Sequence, residues 1–478
     1  MRLQYINPVW CRVTGEPSEC RELSEAMTFE VPGAWHMPSV KQGYWDGKKR
    51  LYNLQTGLMY AGLFEQVIKF AEKNEYPIEV DEEFSARNYF PEHTKYIIAS
   101  ANLTKEPRDY QIEAFQKARV YERGIFRMPT GSGKSLTIYL LARSPRGTKT
   151  LIVVPRIGLV HQMASDFAEY GMDVENEVHK VQGGTERETE KPITISTWHS
   201  VYKESPEFLA QFEKVIVDEV HDATANSIVK LMEKLVNAKE RYGFTGTLRD
   251  NKVNLMVLEG LFGPVYDIVS TNNLIEQKVL ADFEITCLIL KYPEETRKKF
   301  GKVSYQDEVD FIISDPTRNA LIAKLAAGLK GNTMVMFQFI EKHGKILHDL
   351  IRAATDRPVY YIDGKVDGEE RERIRKEIDT KENCILIGSA QTISTGINIV
   401  TMKNIIFVSP SKAKVRVLQA IGRTLRRSET KTQARLFDFV DDISWKKRKN
   451  FALIHFFERI KIYGNEQLPF KIKTLELK

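Results

Sequence analysis

The chain has 478 residues, 42% of them hydrophobic and 28% charged. That balance belongs to globular proteins and excludes a disordered or fibrous chain. No apolar run approaches the ~18 residues needed to span a bilayer, and the four cysteines form no CxxC pair, which argues against a structural zinc and for reduced thiols. At about 100–200 residues per domain, three domains are expected.

The first stretch, "MRLQYINPVWCRVTGEP", lacks a signal peptide's apolar segment, so cytoplasmic residence and no membrane contact are expected. Up to about residue 100 the pattern is short and irregular, rich in Trp, Tyr, Gly and Pro. Within it "QGYWDGKKRLYN" interleaves aromatic rings with Lys48, Lys49 and Arg50. Rings beside cations suit nucleic acid. "WDGKK" reads equally as a hairpin turn with exposed lysines.

Beyond residue 100, apolar runs of strand length alternate with helical stretches. The first series is "GIFRM", "TLIVVP", "PITIST", "KVIVDE" and "YGFTGT"; the second is "TMVMFQF", "VYYID", "CILIGS", "NIIFVSP" and "RLFDFV". Continuous apolar runs between helices are buried parallel strands, so the fold class is α/β, with two such domains in tandem. The expected division is 1–102 accessory, 103–278 first α/β domain, 279–445 second, and 446–478 a basic helical tail. Residues 411 to 450 hold twelve Lys/Arg against four Asp/Glu, while residues 1 to 100 hold eleven against fourteen. A basic C-terminal block on a chain of net charge +6 suits a polyanionic partner.

"FRMPTGSGKS" places a two-glycine turn between a strand and a helix, the setting that makes a glycine motif a phosphate site. Across Thr130, Gly131, Ser132 and Gly133 the backbone N–H groups can approach an anion, and the helix start adds partial positive charge. Lys134 reaches the β and γ phosphates, and the Ser135 hydroxyl binds magnesium. Met128 stands where the usual pattern has its first glycine. "VIVDEVH" supplies the partner: a strand ending in two carboxylates, Asp218 for magnesium and Glu219 to orient and deprotonate a water.

These motifs, with "PRDYQIEAF", "VVPRIGLVHQ", "QGG", "ISTWHS", "GFTGTLRDN", "ISTGINI" and "QAIGRTLRR" in this order, resemble the superfamily 2 helicases over residues 103 to 442. "LRDN" directly after Thr-Gly-Thr, "DPTRN", "FIEKHGKIL" and "STGI" resemble the UvsW-type phage recombination helicases, and the excision-repair helicases of the XPB type are more distant kin. The resemblance implies two tandem RecA-like parallel-sheet domains behind the small N-terminal α+β domain, with ATP, magnesium and a DNA strand.

By that resemblance Gln419, Arg423 and Arg426, on one helix face, serve catalysis, the two arginines at the γ-phosphate. Gly396 joins the nucleotide contacts. Gln111 reads the adenine edge with Arg108 or Tyr110 stacked on the base; the alternative is a polar helix start. Arg156, Gln162, Gly183, Gly184, Thr197, Trp198 and His199 in the first domain, and Thr395 and Asn398 in the second, hold the strand's phosphates. Thr245, Gly246 and Thr247 couple nucleotide state to the strand; the alternative for the threonines is plain strand-end hydroxyls.

The function implied is an ATP-dependent DNA helicase or translocase that remodels branched DNA by branch migration, fork regression and D-loop or R-loop unwinding. Its expected partners are single-stranded, forked or four-way DNA and recombination or single-strand-binding proteins, and it is expected to act as a monomer. The competing readings are an RNA helicase, the motor subunit of a restriction nuclease, and a non-catalytic DNA-binding scaffold; the intact "GKS" and "DE" weigh against the last.

Overall fold

The computed structural model describes residues 1–477 except 86–90, 102, 146, 182–184, 187–188, 223–225, 247–251, 301–302, 395–398, 400 and 411–432. The chain forms two compact units: Met1–Met128 with Gly133–Val269, and Ser270–Lys478 with Pro129–Ser132.

The first unit opens with β1 (Arg2–Tyr5), β2 (Trp10–Thr14), β3 (Thr28–Glu30), β4 (Lys48–Arg50), β5 (Leu58–Tyr60) and β6 (Glu79–Val80). Four of these form a mixed sheet in the order β5-β2-β1-β6, and β3 and β4 form a separate antiparallel ribbon. Helices Pro17–Ala26 and Phe64–Lys73 accompany the sheet. The second of these turns Val67 and Ala71 inward and leaves Lys69 and Lys73 in water, the 3.6-residue amphipathic spacing.

This region is not a free-standing bead. Its Leu3, Cys11, Met59 and Leu63 share one core with Ile125, Val153, Val215 and Phe262. Gly62 shows how close the approach is: a Cβ there would stand 2.2 Å from the carbonyl oxygen of Glu259. Only glycine admits backbone to backbone at that separation. Tyr60 Oη donates to Glu233 Oε1 (2.6 Å) and Gln66 Nε2 to Glu259 Oε2 (2.9 Å) across the same seam.

The motor sheet of the first unit holds β7 (Arg123–Arg127), β8 (Thr150–Val154), β9 (Val178–Val181), β10 (Ile193–Thr197), β11 (Lys214–Val217), β12 (Glu240–Thr245) and β13 (Val265–Asp267). All are parallel, in the order β13-β7-β12-β11-β8-β10-β9. Every residue of β8, β10, β11 and β12 is buried, as expected for strands covered on both faces. Two consequences matter for chemistry. Parallel strands put their C-terminal ends on one edge, and β12 lies between β7 and β11, so three separate sequence motifs meet there.

The second unit is built alike from β14 (Asp282–Lys291), β15 (Thr333–Phe337), β16 (Val359–Ile362), β17 (Ile385–Ser389), β18 (Asn404–Phe407), β19 (Gln433–Asp442) and β20 (Phe470–Glu476), all parallel, in the order β16-β17-β15-β18-β19-β14-β20. Residues 446–478, expected as a helical tail, contain the helix Phe451–Asn465 and also β20, an edge strand of this sheet. The helix is bolted to β19: Arg459 donates from Nε and Nη2 to Asp438 (2.9 Å each), and Tyr463 Oη to the same carboxylate (2.9 Å). Among the described residues no helix is long and apolar enough to cross a membrane.

Candidate active site

The glycine loop follows β7. Gly131 (φ +88°) and Gly133 (φ +80°) take left-handed backbone, which L-residues adopt at a cost, and the helix Lys134–Ala142 starts directly after. Met128 N–H donates to Thr245 O (2.8 Å), which ties the loop's entry to the end of β12. Gln111 is 1% exposed, and its amide bridges two places: Oε1 accepts from Arg108 N–H (2.9 Å), and Nε2 donates to Gly133 O (2.9 Å). A Cβ on Gly133 would lie 2.5 Å from that Nε2. The helix start that bears Arg108 and Gln111 therefore braces the loop's shoulder. Tyr110, 7% exposed, receives Arg108 Nη1–H on its hydroxyl at 3.2 Å.

Lys134 reaches the paired carboxylates at the end of β11. Its Nζ lies 3.0 Å from Glu219 Oε1 and 3.8 Å from Asp218 Oδ1. Glu219 sits at φ +51°, strained for a side chain of its size, and its N–H donates to Asp218 Oδ1 (2.9 Å). Burial works to raise the pKa of both acids. For Glu219 the Lys134 ammonium and His221 outweigh it, and the group is held below the ordinary carboxylate range. For Asp218 burial prevails over Lys134, and the neighbouring Glu219 adds to the upward push. The two adjacent acids are thereby driven apart, the pattern of a site with divided roles.

Two residues to which the sequence assigned no role complete this edge. His221 is 1% exposed; its Nδ1 lies 2.8 Å from Thr245 Oγ1 and 3.3 Å from Glu219 Oε2. It belongs to the quoted "VIVDEVH", so its position two residues after Glu219 was the available signal. Tyr170, at the end of the helix Ile157–Glu169, places its hydroxyl 2.8 Å from Ser135 Oγ. Nothing local in the sequence marks it.

Of the expected strand contacts, Arg156 occupies the N-cap position of the helix Ile157–Glu169, without a side-chain cap hydrogen bond, and is exposed, as are Gln162 and His199. Gln162 Nε2 donates to Asp166 Oδ1 (2.7 Å). Thr197 caps the helix Trp198–Val201, its Oγ1 accepting Ser200 N–H (3.3 Å). Trp198 is 6% exposed and part of the core, so its ring has no open face for a base. Lys48, Lys49 and Arg50 form β4 and are exposed. Thr245 ends β12 and Gly246 follows it. Gly183, Gly184, Thr247, Thr395, Gly396, Asn398, Gln419, Arg423 and Arg426 lie outside the described residues.

A lysine-closed glycine loop facing paired acids on an all-parallel sheet, followed by a second sheet of the same kind, defines a tandem RecA-like nucleotide-driven motor. Family models agree along the chain: "DNA helicase UvsW, N-terminal" matches residues 3–81, "Type III restriction enzyme, res subunit" 104–250, and "Helicase conserved C-terminal domain" 317–428. The chain is 34% identical to the ATP-dependent DNA helicase uvsW of Enterobacteria phage T4 over 492 aligned residues, covering 98% of this chain and 97% of that protein. It is 27% identical to the DNA 3'-5' translocase XPB2 of Sulfurisphaera tokodaii, covering 68% of this chain and 79% of that one. The crystal structure of T4 UvsW superposes with a TM-score of 0.53 at 31% identity, covering 100% of this chain and 99% of that structure. The chain belongs to the UvsW-type family of superfamily 2 helicases.

Proposed function

We propose that this chain is an ATP-dependent DNA helicase or translocase that remodels branched DNA: it migrates branches, regresses forks and unwinds D-loops or R-loops. The observation that carries the reading is the Lys134–Glu219–Asp218 cluster at the loop's mouth, joined through His221 to Thr245. It is supported by kinship along almost the whole chain with a protein named as an ATP-dependent DNA helicase.

The donors present suit a hard cation. Ser135 offers a hydroxyl and Asp218 a carboxylate, oxygen ligands of the kind magnesium takes. Magnesium held there would neutralise charge on the transferring phosphate. In this reading Thr130 to Gly133 cradle the phosphates with backbone N–H groups, and Lys134 leaves Glu219 for the γ-phosphate. Glu219, freed and ionised, takes the proton of the attacking water. Gln419, Arg423 and Arg426 serve the same phosphate from the second domain, with Gly396 beside the nucleotide. Gln111 meets the adenine edge, with Arg108 or Tyr110 stacked on the base. Arg156, Gln162, Thr197, Gly183, Gly184, Thr395 and Asn398 hold the strand, and Thr245 to Thr247 relay nucleotide state. The working divisions are 1–102, 103–278, 279–445 and 446–478, and the enzyme acts as a monomer.

Energetics favour branched substrates. Opening a duplex costs about 1.4 kcal/mol per stacking step; at a junction, pairs lost on one arm are regained on another. The test is a panel comparing ATP turnover and strand products on linear duplex, fork, four-way junction and RNA. Highest turnover with strand exchange on forks and junctions is expected. Preference for RNA, or turnover unmoved by any nucleic acid, overturns the reading.

A further inference from the structure

Between β3 and β4 the first unit carries an excursion, residues 31–47, that leaves the ribbon and returns to it. Val31 N–H donates to Gly47 O (2.9 Å) and closes its neck. Inside, the turn Ala34–His36 and the short helix Pro38–Lys41 fold against each other, and the N–H groups of Tyr44 and Trp45 both donate to Ser39 O (2.9 and 3.2 Å). Trp45 is tied down as well, its indole N–H on Lys48 O (2.9 Å).

Two rings on this closed excursion are left in water. Trp35 is 65% exposed and Tyr44 84%. Burial of a large ring is a major source of folding energy, so rings held out on an ordered excursion are not explained by folding. Trp35, Met37 (42% exposed) and Tyr44 concentrate exposed apolar surface on one short excursion, and such a concentration, unlike a single exposed side chain, marks an interaction surface. Charge narrows the partner. Residues 31–50 carry Lys41, Lys48, Lys49 and Arg50, all exposed, against one carboxylate, Asp46, and that one is occupied by the Arg50 guanidinium. Aromatic faces among unneutralised lysines fit a polyanion that also presents flat apolar faces, which is nucleic acid. Within intact duplex each base face is covered by its neighbour. In a single strand the base faces are open, and in duplex a face is open without prising steps apart where the helix ends, at a fork or an open junction centre.

We propose that the excursion is a base-stacking wedge: Trp35 and Tyr44 cover the base face exposed at a DNA branch point while Lys41, Lys48 and Lys49 hold the adjoining phosphates. This rests on the branched-DNA reading above and names the feature of the substrate that is recognised. Stacking by one aromatic ring contributes about 1–3 kcal/mol per base, at the low end roughly tenfold in affinity.

The experiment uses the full chain and its Trp35→Ala/Tyr44→Ala variant with four-way junctions carrying 2-aminopurine in the pair at the crossover. Linear duplex with the probe mid-helix and single-stranded DNA serve as references. Expected is a fluorescence change at the crossover with the unaltered chain, lost in the variant. Junction affinity should fall tenfold or more, with single-strand affinity within about twofold and DNA-free ATP turnover and melting temperature unchanged. Trp35→Phe/Tyr44→Phe should restore the signal, because a ring and not a particular residue is required. Equal junction affinity and an unchanged probe signal in the Ala variant overturn the wedge, and leave the rings to a protein partner. An equal loss on single strands and junctions also overturns it. Neither result touches the proposed function, which fails only if DNA does not stimulate ATP turnover by the unaltered chain.

Discussion

His221 and Thr245 stand 24 residues apart in sequence and 2.8 Å apart in space, Nδ1 to Oγ1, both buried. The same ring lies 3.3 Å from Glu219 Oε2. The contact exists because β12 is inserted between β7 and β11. Through one imidazole, the acid beside the phosphate site is in touch with the segment that leads on to Gly246.

That contact predicts a coupling defect. His221→Ala and Thr245→Val should each lower the stimulation of ATP turnover by DNA about tenfold while lowering DNA-free turnover much less. In a double-mutant cycle the pair should be non-additive by about 0.5–3 kcal/mol. Strict additivity would mean that the hydrogen bond carries no signal.

Lys134 and Glu219 should separate binding from chemistry. Lys134→Ala removes a cation that the phosphates need and should weaken nucleotide binding, measured by titration with a fluorescent ATP analogue. Glu219→Gln keeps the shape, removes the base, and should cut turnover by about 10²–10⁴ with nucleotide affinity retained. Near-normal turnover in either would remove that residue from the site.

Arg241 makes a stability prediction. Its guanidinium is fully buried and donates to the carbonyls of Leu261 (2.8 Å), Leu235 (2.9 Å) and Met232 (2.7 Å). Burial, with Arg123 nearby, lowers its pKa to about 9, so it stays charged at neutral pH. Those carbonyls belong to segments flanking β12. Arg241→Met would orphan all three and should cost about 3 kcal/mol or more, read as a lower midpoint in urea. A change under about 1 kcal/mol would show that water or backbone shifts replace the bonds.

His343 in the second unit predicts a pH dependence. It is fully buried, 3.2 Å from Asn319 Oδ1 through Nε2, and burial first, then Arg318, lowers its pKa from 6.5 to about 3. Between those values the unfolded chain binds a proton that the folded chain does not. This contribution to stability is therefore complete above pH 6.5 and is lost as pH falls, at up to about 1.4 kcal/mol per pH unit. His343→Gln should flatten the stability profile between pH 6.5 and 4. An unaltered slope would assign the acid sensitivity to other groups.

Much of this protein is legible from its chain alone. The apolar runs of both series lie in the strands found, in order, because a strand buried on both faces needs a continuous apolar stretch that no turn or exposed helix needs. The glycine loop, Lys134, and the Asp218–Glu219 pair are likewise local: each follows its own strand within a few residues. Strands outside the two series are β9, β13, β14 and β20; β14, "DFEITCLILK", carries a strong and largely buried apolar run but stands next to the expected boundary between the α/β domains and falls in neither series. β9 and β13 are short, and β20, "FKIKTLE", alternates lysines with apolar residues and is exposed throughout. Tertiary structure alone decided the rest. The order β7-β12-β11 brought His221 to Thr245. The packing of Gly62 on Glu259 merged the N-terminal region into the motor's core. Burial took the Trp198 ring from solvent, while the folded neck at Val31 and Gly47 carries Trp35 and Tyr44 exposed. Period and motif are properties of neighbours in sequence, whereas which strand lies beside which, and which ring faces water, is settled only when distant segments compete for the same core.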